Sequence, residues 1–256
     1  MKNNEIFYFD VDGTLLDNTT HTVPQSTIDA LYQLKSKGYL VALCTGRSLL
    51  GVHEAGVDDI FPWDGYVLSN GSLILDSEQN IISEVYFEPE FIHELIRVNQ
   101  GPLLLEGDEN TLTSKANDRL LASLKHFGIP TMYPVVPYQN QKIYNLISYD
   151  IDTLSKDDYN RLIGDKKTAF DQLGNLEVIP SQGGKYNGLM TLNNHLNVTH
   201  YVGFGDGDND VDFLRNANFS VALGNACESA KQVADYITRD VDQDGIMYAL
   251  KKHGVL

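Results

Sequence analysis

The sequence predicts an α/β fold whose sheet is parallel at its centre, with a second domain inserted into the chain. Short apolar runs that end in polar or glycine residues alternate with segments of helical periodicity, which is typical of strand–helix–strand units. This alternation of predicted strands and helices occurs at both ends of the chain. Between them, strands with alternating apolar and polar side chains follow hairpin-length or helical connections, as in a sheet with one covered face.

The composition limits the class of protein. With 256 residues and 42% hydrophobic content, the chain is expected to be one large or two small globular domains. A formal net charge of −16 argues against nucleic acid or an anionic membrane as partner. The sequence shows neither a signal-peptide pattern nor an apolar run of ~18 residues, and its two cysteines, Cys44 and Cys227, are predicted to be buried thiols. We therefore expect a cytoplasmic protein, a monomer or weak homodimer.

The first segment begins with an apolar run that ends in two carboxylates, Asp10 and Asp12. We predict a buried strand that places both carboxylates at the C-terminal edge of the sheet, where open α/β sheets bind ligands. A helix from Pro24 to Gly38 leads to a second strand, and because such units are right-handed, Thr45 should emerge at the same edge. Up to residue 80 we predict strands at 6–9, 40–44, 65–68 and 73–75, a hairpin turn at 69–72, and helices at 24–38 and 48–55.

The pattern changes at about residue 81 and returns at Lys185. The breaker at 180–184 ends the middle segment, and Lys185 opens a helix with leucines at helical spacing. We therefore predict a core of residues 1–80 and 185–256 and an inserted domain of residues 81–184. In the insertion we predict strands at 84–87, 102–106, 142–149 and 176–179 and helices at 89–98, 117–127 and 157–173. After it we predict strands at 200–204, 220–223 and 235–237 and helices opening at 185, ending at 217, and spanning 228–234 and 245–252.

Two carboxylates as close as Asp10 and Asp12 would repel by ~4 kcal/mol at an effective dielectric near 20, and a divalent cation would offset this. An Asp-Gly turn after an edge strand is the simpler interpretation. Three later clusters favour a functional site, because a hydroxyl, a lysine and further oxygen ligands end strands or open a helix. They are Thr45, Lys185, and Asp206 with Asn209 and Asp210.

Each cluster also has a simpler explanation. Thr45 could only cap the helix that follows it, and Lys185 could be a solvated lysine. The acidic run from Asp206 begins like a calcium loop, but Val211 and Ala217 stand where that loop needs glycine and a bidentate glutamate, so the calcium interpretation fails.

The order of the motifs resembles the haloacid dehalogenase superfamily of phosphatases. The chain carries D-x-D-G-T at a strand end, T-G-R after the second strand, a lysine after an insertion, and then G-D-G-D-N-D. The large α/β insertion between the second and third motifs is similar to that of the Cof-type hydrolases. The resemblance covers essentially the whole chain and implies a Rossmann-like three-layer core with an inserted α+β cap. One departure is Lys185-Tyr-Asn-Gly-Leu, where the family commonly has K-G-x-A-L.

The resemblance also implies roles for individual residues. Asp10 would be the nucleophile that forms an aspartyl-phosphate, and Asp12 would protonate the leaving group and activate water. Thr45 and Lys185 would complete the catalytic set, with Lys185 screening the phosphoryl charge. Mg²⁺ would be bound by Asp10, Asp12, Asp206 and Asp210. The residues expected to contact phosphate or substrate are Val11, Thr45, Gly46, Arg47, Asn70, Lys185 and Asn209.

These observations predict a Mg²⁺-dependent phosphatase that acts on small-molecule phosphate esters, sugar phosphates above all. Two alternatives stay open, a phosphomutase of the same superfamily and a non-catalytic sensor of phosphorylated metabolites. We expect substrate specificity to lie in the insertion, in loops around residues 104–110 and 138–144.

Overall fold

The computed structural model describes residues 4–130, 132–150, 161–171 and 173–256. Two sheets organise this part of the chain, one of eight strands and one of five. The strands are β1 Glu5–Phe9, β2 Leu40–Cys44, β3 Gly65–Leu68, β4 Leu73–Asp76, β5 Ile81–Glu84, β6 Leu103–Gly107, β7 Asn110–Leu112, β8 Ile143–Ser148, β9 Lys167–Phe170, β10 Leu176–Ile179, β11 His200–Gly205, β12 Phe219–Ala222 and β13 Tyr236–Ile237. The helices are α1 Gln25–Ser36, α2 Leu49–Glu54, α3 Pro89–Val98, α4 Asp118–His126, α5 Lys185–Leu196, α6 Val211–Arg215, α7 Glu228–Val233 and α8 Gly245–Lys252.

The larger sheet has the order β13-β12-β11-β1-β2-β3-β4-β5, with parallel pairing from β13 to β3 and antiparallel pairing at β4 and β5. Strand β1 is buried on both faces. Phe7 and Phe9 pack with residues of α1 and α8, while Ile6 and Tyr8 pack with residues of α5, α6 and α7. Helices therefore cover both faces, and the predicted α/β fold with a central parallel sheet is confirmed.

The smaller sheet is antiparallel, with the order β7-β6-β8-β10-β9. We call residues 85–184, which contain it, the smaller-sheet region. Because side chains alternate along a strand, the sheet has two different faces. On one face, Leu103, Leu105 and Leu146 pack with residues of α3. The opposite face carries Leu104 and Ile147 and is turned towards the C-terminal edge of the larger sheet, where the two regions share a cavity.

Two local predictions are wrong. The strand predicted at 84–87 lies at Ile81–Glu84, because its register is set by antiparallel pairing with β4, so the larger sheet extends past residue 81. Residues 157–160 and 172 of the predicted helix 157–173 lie outside the described residues. Within the described part, Lys167–Phe170 is a strand paired with β10, and Gly164 has a left-handed φ of 55° that suits a turn.

The division into domains at 1–80, 81–184 and 185–256 stays a prediction. None of the helices in the described ranges is long and apolar enough to cross a membrane.

Candidate active site

Three neighbouring parallel strands end in candidate residues at one edge of the larger sheet. Strand β1 lies between β11 and β2, so Asp10, Asp206 and Thr45, which directly follow these strands, come to the same edge. The amide of Asp10 donates to the carbonyl of Phe204 (3.0 Å), which continues the pairing beyond β1. Lys185, the first residue of α5, lies at the same edge of the sheet, although it is far from Asp10 in the sequence.

Asp10, Asp206 and Asp210 form a buried cluster in which each offers a carboxylate oxygen within 4.8 Å of the others. The Nζ of Lys185 donates to Oδ1 of Asp10 (2.7 Å) and Oδ1 of Asp210 (2.5 Å). Since three carboxylates face one ammonium, the cluster has a formal excess of two negative charges. Oxygen ligands and this charge excess fit a divalent cation such as Mg²⁺.

Asp210, the third carboxylate of this cluster, organises the loop after β11. The Oδ2 of Asp210 accepts from the backbone N–H of Asp206 (2.8 Å) and of Gly207 (2.9 Å), while its Oδ1 accepts from Lys185. Both oxygens therefore have protein donors. Asp210 therefore contacts both Lys185 and the backbone of Asp206, and it helps to fix the position of the other groups in the cluster.

Burial dominates the electrostatics of this cluster. Burial raises the pKa of Asp10 to about 7, the neighbouring Asp210 and Asp12 add to the rise, and Lys185 opposes it. The pKa of Asp206 is raised well above its usual range, again mainly by burial. For Lys185, burial acts to lower the pKa, but Asp10 and Asp210 outweigh it and the pKa is raised. Lys185 therefore stays charged, and a cation beside Asp10 would favour the carboxylate form that a nucleophile needs.

Local geometry explains why Asp12 is followed by a glycine and a threonine. Gly13 has a left-handed φ of 80°, and a Cβ there would lie 2.3 Å from Oδ2 of Asp206. Thr14 donates its hydroxyl to Oδ1 of Asp206 (2.9 Å), and Asn225 donates to the carbonyl of Gly13 (2.8 Å). The turn after β1 and the loop after β11 are thus tied together through Asp206.

Thr45 lines the cavity in front of Asp10 and does not cap α2. The cap is Ser48, whose side chain accepts from the amide of Gly51 (3.2 Å). The hydroxyl of Thr45 accepts from the amide of Arg47 (3.1 Å). Gly46 also lines the cavity. The capping interpretation of Thr45 is therefore wrong, because the helix begins later, at Leu49.

Arg47 lines the cavity and contacts Asp12 and two backbone carbonyls, while its contact with phosphate stays a prediction. Its Nε and one terminal nitrogen bind both carboxylate oxygens of Asp12, at 2.8 and 2.7 Å. The guanidinium also donates to the carbonyls of Gly51 and Phe127, each at 2.9 Å. Phe127 follows α4 in the smaller-sheet region. Arg47 therefore fixes Asp12 and joins it to that region, and its donors are directed at protein oxygens.

Asn70 and Asn209 form a chain of amides that leads away from the cluster. Asn209 donates to the side-chain oxygen of Asn70 (3.0 Å), and Asn70 donates to Oε2 of Glu177 on β10 (2.8 Å). Asn70 is fully buried, in a left-handed conformation with φ 52°, and it is absent from the cavity lining. Val11 packs its side chain in the core, which leaves only its backbone available to a ligand.

A cavity of about 510 Å³ lies between the larger sheet and the smaller-sheet region. Asp10, Asp12, Thr45, Asp206 and Asn209 line one side of it. The lining from the smaller-sheet region is Leu104, Glu106, Ser123, Phe127, Ile129, Tyr133, Ile147, Tyr149, Phe170, Asp171 and Glu177. Cys227 is only half-buried and also lines the cavity, so the prediction of a buried thiol holds for Cys44 but is wrong for Cys227.

Sequence reasoning missed part of this lining. The predicted segment 104–110 does contain Leu104 and Glu106, but they lie on strand β6 and not in a loop. None of the residues 138–144 lines the cavity, and Glu177 was not singled out. A glutamate that interrupts the leucines of β6 is a signal that could have directed attention to Glu106.

The family follows from a comparison with known sequences. The sequence model of the haloacid dehalogenase-like hydrolases matches residues 7–250. The chain belongs to this family. The predicted family is thereby confirmed, and since it is a family of phosphatases, the predicted enzyme class is confirmed with it.

Individual relatives and structures agree with this assignment. A Bacillus subtilis protein named as a phosphatase is 26% identical over 264 residues, which cover 99% of this chain and 99% of that protein. A 5-amino-6-(5-phospho-D-ribitylamino)uracil phosphatase of Bacillus subtilis is 26% identical over 275 residues, covering 93% of this chain and 94% of that protein. The solved structure of a phosphatase of the haloalkanoate enzyme superfamily from Bacteroides thetaiotaomicron superposes with a TM-score of 0.84 at 27% identity, covering 98% of this chain and 96% of that chain.

Proposed function

We propose that this phosphatase is a Mg²⁺-dependent phosphomonoester hydrolase that acts on small phosphorylated metabolites through an aspartyl-phosphate on Asp10. The observation that carries the proposal is the position of Asp10. Its carboxylate lies in a buried cluster with Asp206 and Asp210, in contact with Lys185, at the floor of a cavity large enough for a small ligand. The relative that acts on a ribitylamino-uracil phosphate is consistent with a small, hydroxyl-rich ester as substrate.

The metal-binding part of the proposal rests on the charge excess of the cluster. Asp10 and Asp206 would hold Mg²⁺ through carboxylate oxygens, Asp12 through its backbone carbonyl, and Asp210 in support. A bound Mg²⁺ supplies positive charge that stabilises the negative charge developing on the phosphoryl oxygens. Lys185, whose Nζ donates to Oδ1 of Asp10, adds a fixed positive charge beside the phosphoryl group.

The remaining steps are carried out by the side chains of the chain. A carboxylate oxygen of Asp10 attacks phosphorus, the bond from phosphorus to the ester oxygen breaks, and Asp12 donates a proton to that oxygen. Asp12 then accepts a proton from water, whose oxygen attacks the phosphorus of the aspartyl-phosphate. The bond from phosphorus to Asp10 breaks, which releases phosphate and restores the carboxylate. Thr45 and the amide of Gly46 bind phosphoryl oxygens during both steps.

The experiment that tests this function measures phosphate release from p-nitrophenyl phosphate and a panel of sugar phosphates, with Mg²⁺ and with a chelator. We expect release only with Mg²⁺ and its loss in Asp10→Asn, which keeps the shape of the side chain but removes the nucleophile. Asp29→Asn on the exposed face of α1 is the matched control. Activity that survives chelation, or that Asp10→Asn retains, would rule the proposal out. Analysis of the products of a hexose 1-phosphate separates hydrolysis from phosphoryl transfer to a second hydroxyl.

A further inference from the structure

The face of the smaller sheet that lies over Asp10 carries two glutamates. In the strand register Leu104 of β6 lies opposite Ile147 of β8, which lies opposite Glu177 of β10. These three residues therefore share a face, and Glu106, two residues after Leu104, is on it as well. All four line the cavity. A ligand whose phosphoryl group lies at Asp10 would meet this face with the rest of the molecule.

Neither glutamate has a cation as partner among the described residues. Glu106 accepts a hydrogen bond from the amide of Asn145 (2.7 Å), and Glu177 accepts one from the amide of Asn70 (2.8 Å). Arg47 is the one cationic side chain among the described residues of the cavity lining, and its guanidinium is bound to Asp12 and two carbonyls. Burial raises the pKa of Glu106 and of Glu177 to about 7, and the hydrogen bonds from Asn145 and Asn70, with the weaker attraction of the charges on Arg47 and Lys185, only partly oppose the rise.

The chemistry of this face restricts what can occupy it. A carboxyl group with spare acceptor oxygens binds hydroxyl or ammonium donors well. A second anionic group on the ligand would instead lie beside two carboxyls in a partly dry cavity, with no available cation to offset the repulsion. Leu104 and Ile147, on the same face as the glutamates, suit the apolar C–H surface of a sugar or polyol.

We infer that Glu106 and Glu177 determine the specificity of the proposed phosphatase by accepting hydrogen bonds from hydroxyl or ammonium groups of the leaving group and by excluding esters whose leaving group is an anion. This inference rests on the proposed function and adds the charge class of the substrate. The two glutamates select the leaving group, while the cluster around Asp10 binds the phosphoryl end that all substrates share.

The test compares three hexose-derived esters whose leaving groups carry different charges, and the glutamine variants separate the effect of charge from that of the open chain of 6-phosphogluconate. The leaving group of glucose 6-phosphate is neutral, that of glucosamine 6-phosphate carries an ammonium, and that of 6-phosphogluconate carries a carboxylate. For the wild-type protein we expect kcat/KM for 6-phosphogluconate to be lower than for glucose 6-phosphate by about tenfold or more. If p-nitrophenyl phosphate is hydrolysed but the sugar esters are not, the same comparison is made from their inhibition constants.

The comparison is made at about pH 8, above the pKa of about 7 of the two buried glutamates, so that both are ionised. The variants Glu106→Gln and Glu177→Gln keep the shape and an acceptor oxygen but remove the charge. Each variant should reduce the preference for the neutral over the anionic ester by about threefold or more. The preference for the ammonium over the neutral ester should fall in parallel. Glu109→Gln, at the exposed turn between β6 and β7 and outside the cavity lining, is the matched control and should keep the wild-type ratios.

The outcomes separate the inference from the proposed function. A wild-type protein that prefers the anionic ester, or ratios that neither glutamine variant changes, would overturn the inference while leaving the phosphatase proposal intact. If the glutamine variants lose activity equally towards all three esters, the glutamates have a purely structural role and the inference is overturned. The inference is also overturned if the neutral and ammonium esters are neither hydrolysed nor act as inhibitors. No phosphate release from any ester, p-nitrophenyl phosphate included, removes the proposed function and the inference together.

Discussion

Both carboxylate oxygens of Asp12 are bound by the guanidinium of Arg47, with Nε 2.8 Å from Oδ2 and a terminal nitrogen 2.7 Å from Oδ1. The same guanidinium donates to the carbonyl of Phe127, which lies in the smaller-sheet region. The orientation of the proposed acid and base is thus linked to the position of the region that covers the cavity. This relationship makes Arg47 a positioning residue, and it leads to the first prediction.

Arg47→Lys should lower kcat by about tenfold or more and change KM much less. Lysine keeps the positive charge but cannot bind both oxygens of Asp12 in the forked geometry of a guanidinium, so the proton donor is less well placed. Steady-state kinetics with p-nitrophenyl phosphate measure this, with Arg97→Lys on the exposed face of α3 as the control. A rise in KM with unchanged kcat would instead support the phosphate contact that the sequence predicted.

Lys185→Met should destabilise the protein strongly in the absence of Mg²⁺. The substitution leaves Asp10 and Asp210 buried without their cation, and breaking a buried ion pair in this way costs about 3–5 kcal/mol. A Mg²⁺ ion bound at the carboxylates would replace part of the missing charge, so the loss should be smaller with Mg²⁺ than with a chelator. Urea unfolding under both conditions measures the free energy of unfolding.

The control for Lys185→Met is Lys251→Met, which removes an exposed lysine at the end of α8 and should have little effect. An equal loss for Lys185→Met with and without Mg²⁺ would argue that no cation binds at the Asp10 cluster.

Glu106→Gln should change how stability depends on pH. Burial raises the pKa of Glu106 from the ordinary 4.5 to about 7 in the folded protein, so between these values the unfolded chain has lost a proton that the folded chain keeps. The contribution of Glu106 to stability therefore falls as pH rises from about 4.5 to about 7, and it is constant above that range. Glutamine does not titrate, so the variant should gain stability relative to wild type across this window, by on the order of 3 kcal/mol.

Urea unfolding at about pH 5 and about pH 8 measures this difference in the free energy of unfolding. Glu109→Gln is the control, since its side chain is exposed. Parallel stability curves for wild type and Glu106→Gln would show that burial does not perturb the Glu106 carboxyl.

Gly13→Ala should reduce activity and weaken Mg²⁺ activation by about tenfold or more, because the added Cβ would lie 2.3 Å from Oδ2 of Asp206 and displace it. Gly38→Ala is a matched control. Its φ of 87° resembles the 80° of Gly13, but a Cβ there has no heavy atom within 4 Å, so it shares the backbone strain without the clash. The Mg²⁺ concentration for half-maximal activity measures the effect, and equal values for the two alanine variants would contradict the geometric explanation.

The sequence alone was sufficient for the fold class, the family and the position of the acidic centre. This worked because the information is local. A buried strand that ends in carboxylates can be recognised within eight residues, and strands that run parallel bring their C-terminal ends to one edge whatever the connections are. The link between Asp10 and Lys185, which are 175 positions apart in the chain, came from the family resemblance, and the structure shows the two side chains in contact.

Only the tertiary structure decided which contacts the remaining side chains make. The alternation of side chains along β6 and β10 shows which residues share a face of the sheet. It does not show which face lies over Asp10, so Glu106 and Glu177 could not be assigned to the cavity from the sequence. Arg47 is long enough to reach either a phosphate or Asp12, and only the structure shows that its guanidinium binds Asp12 and the carbonyl of Phe127. The strand at 81–84 likewise takes its register from β4, since pairing across the sheet outweighs the local preference of residues 84–87.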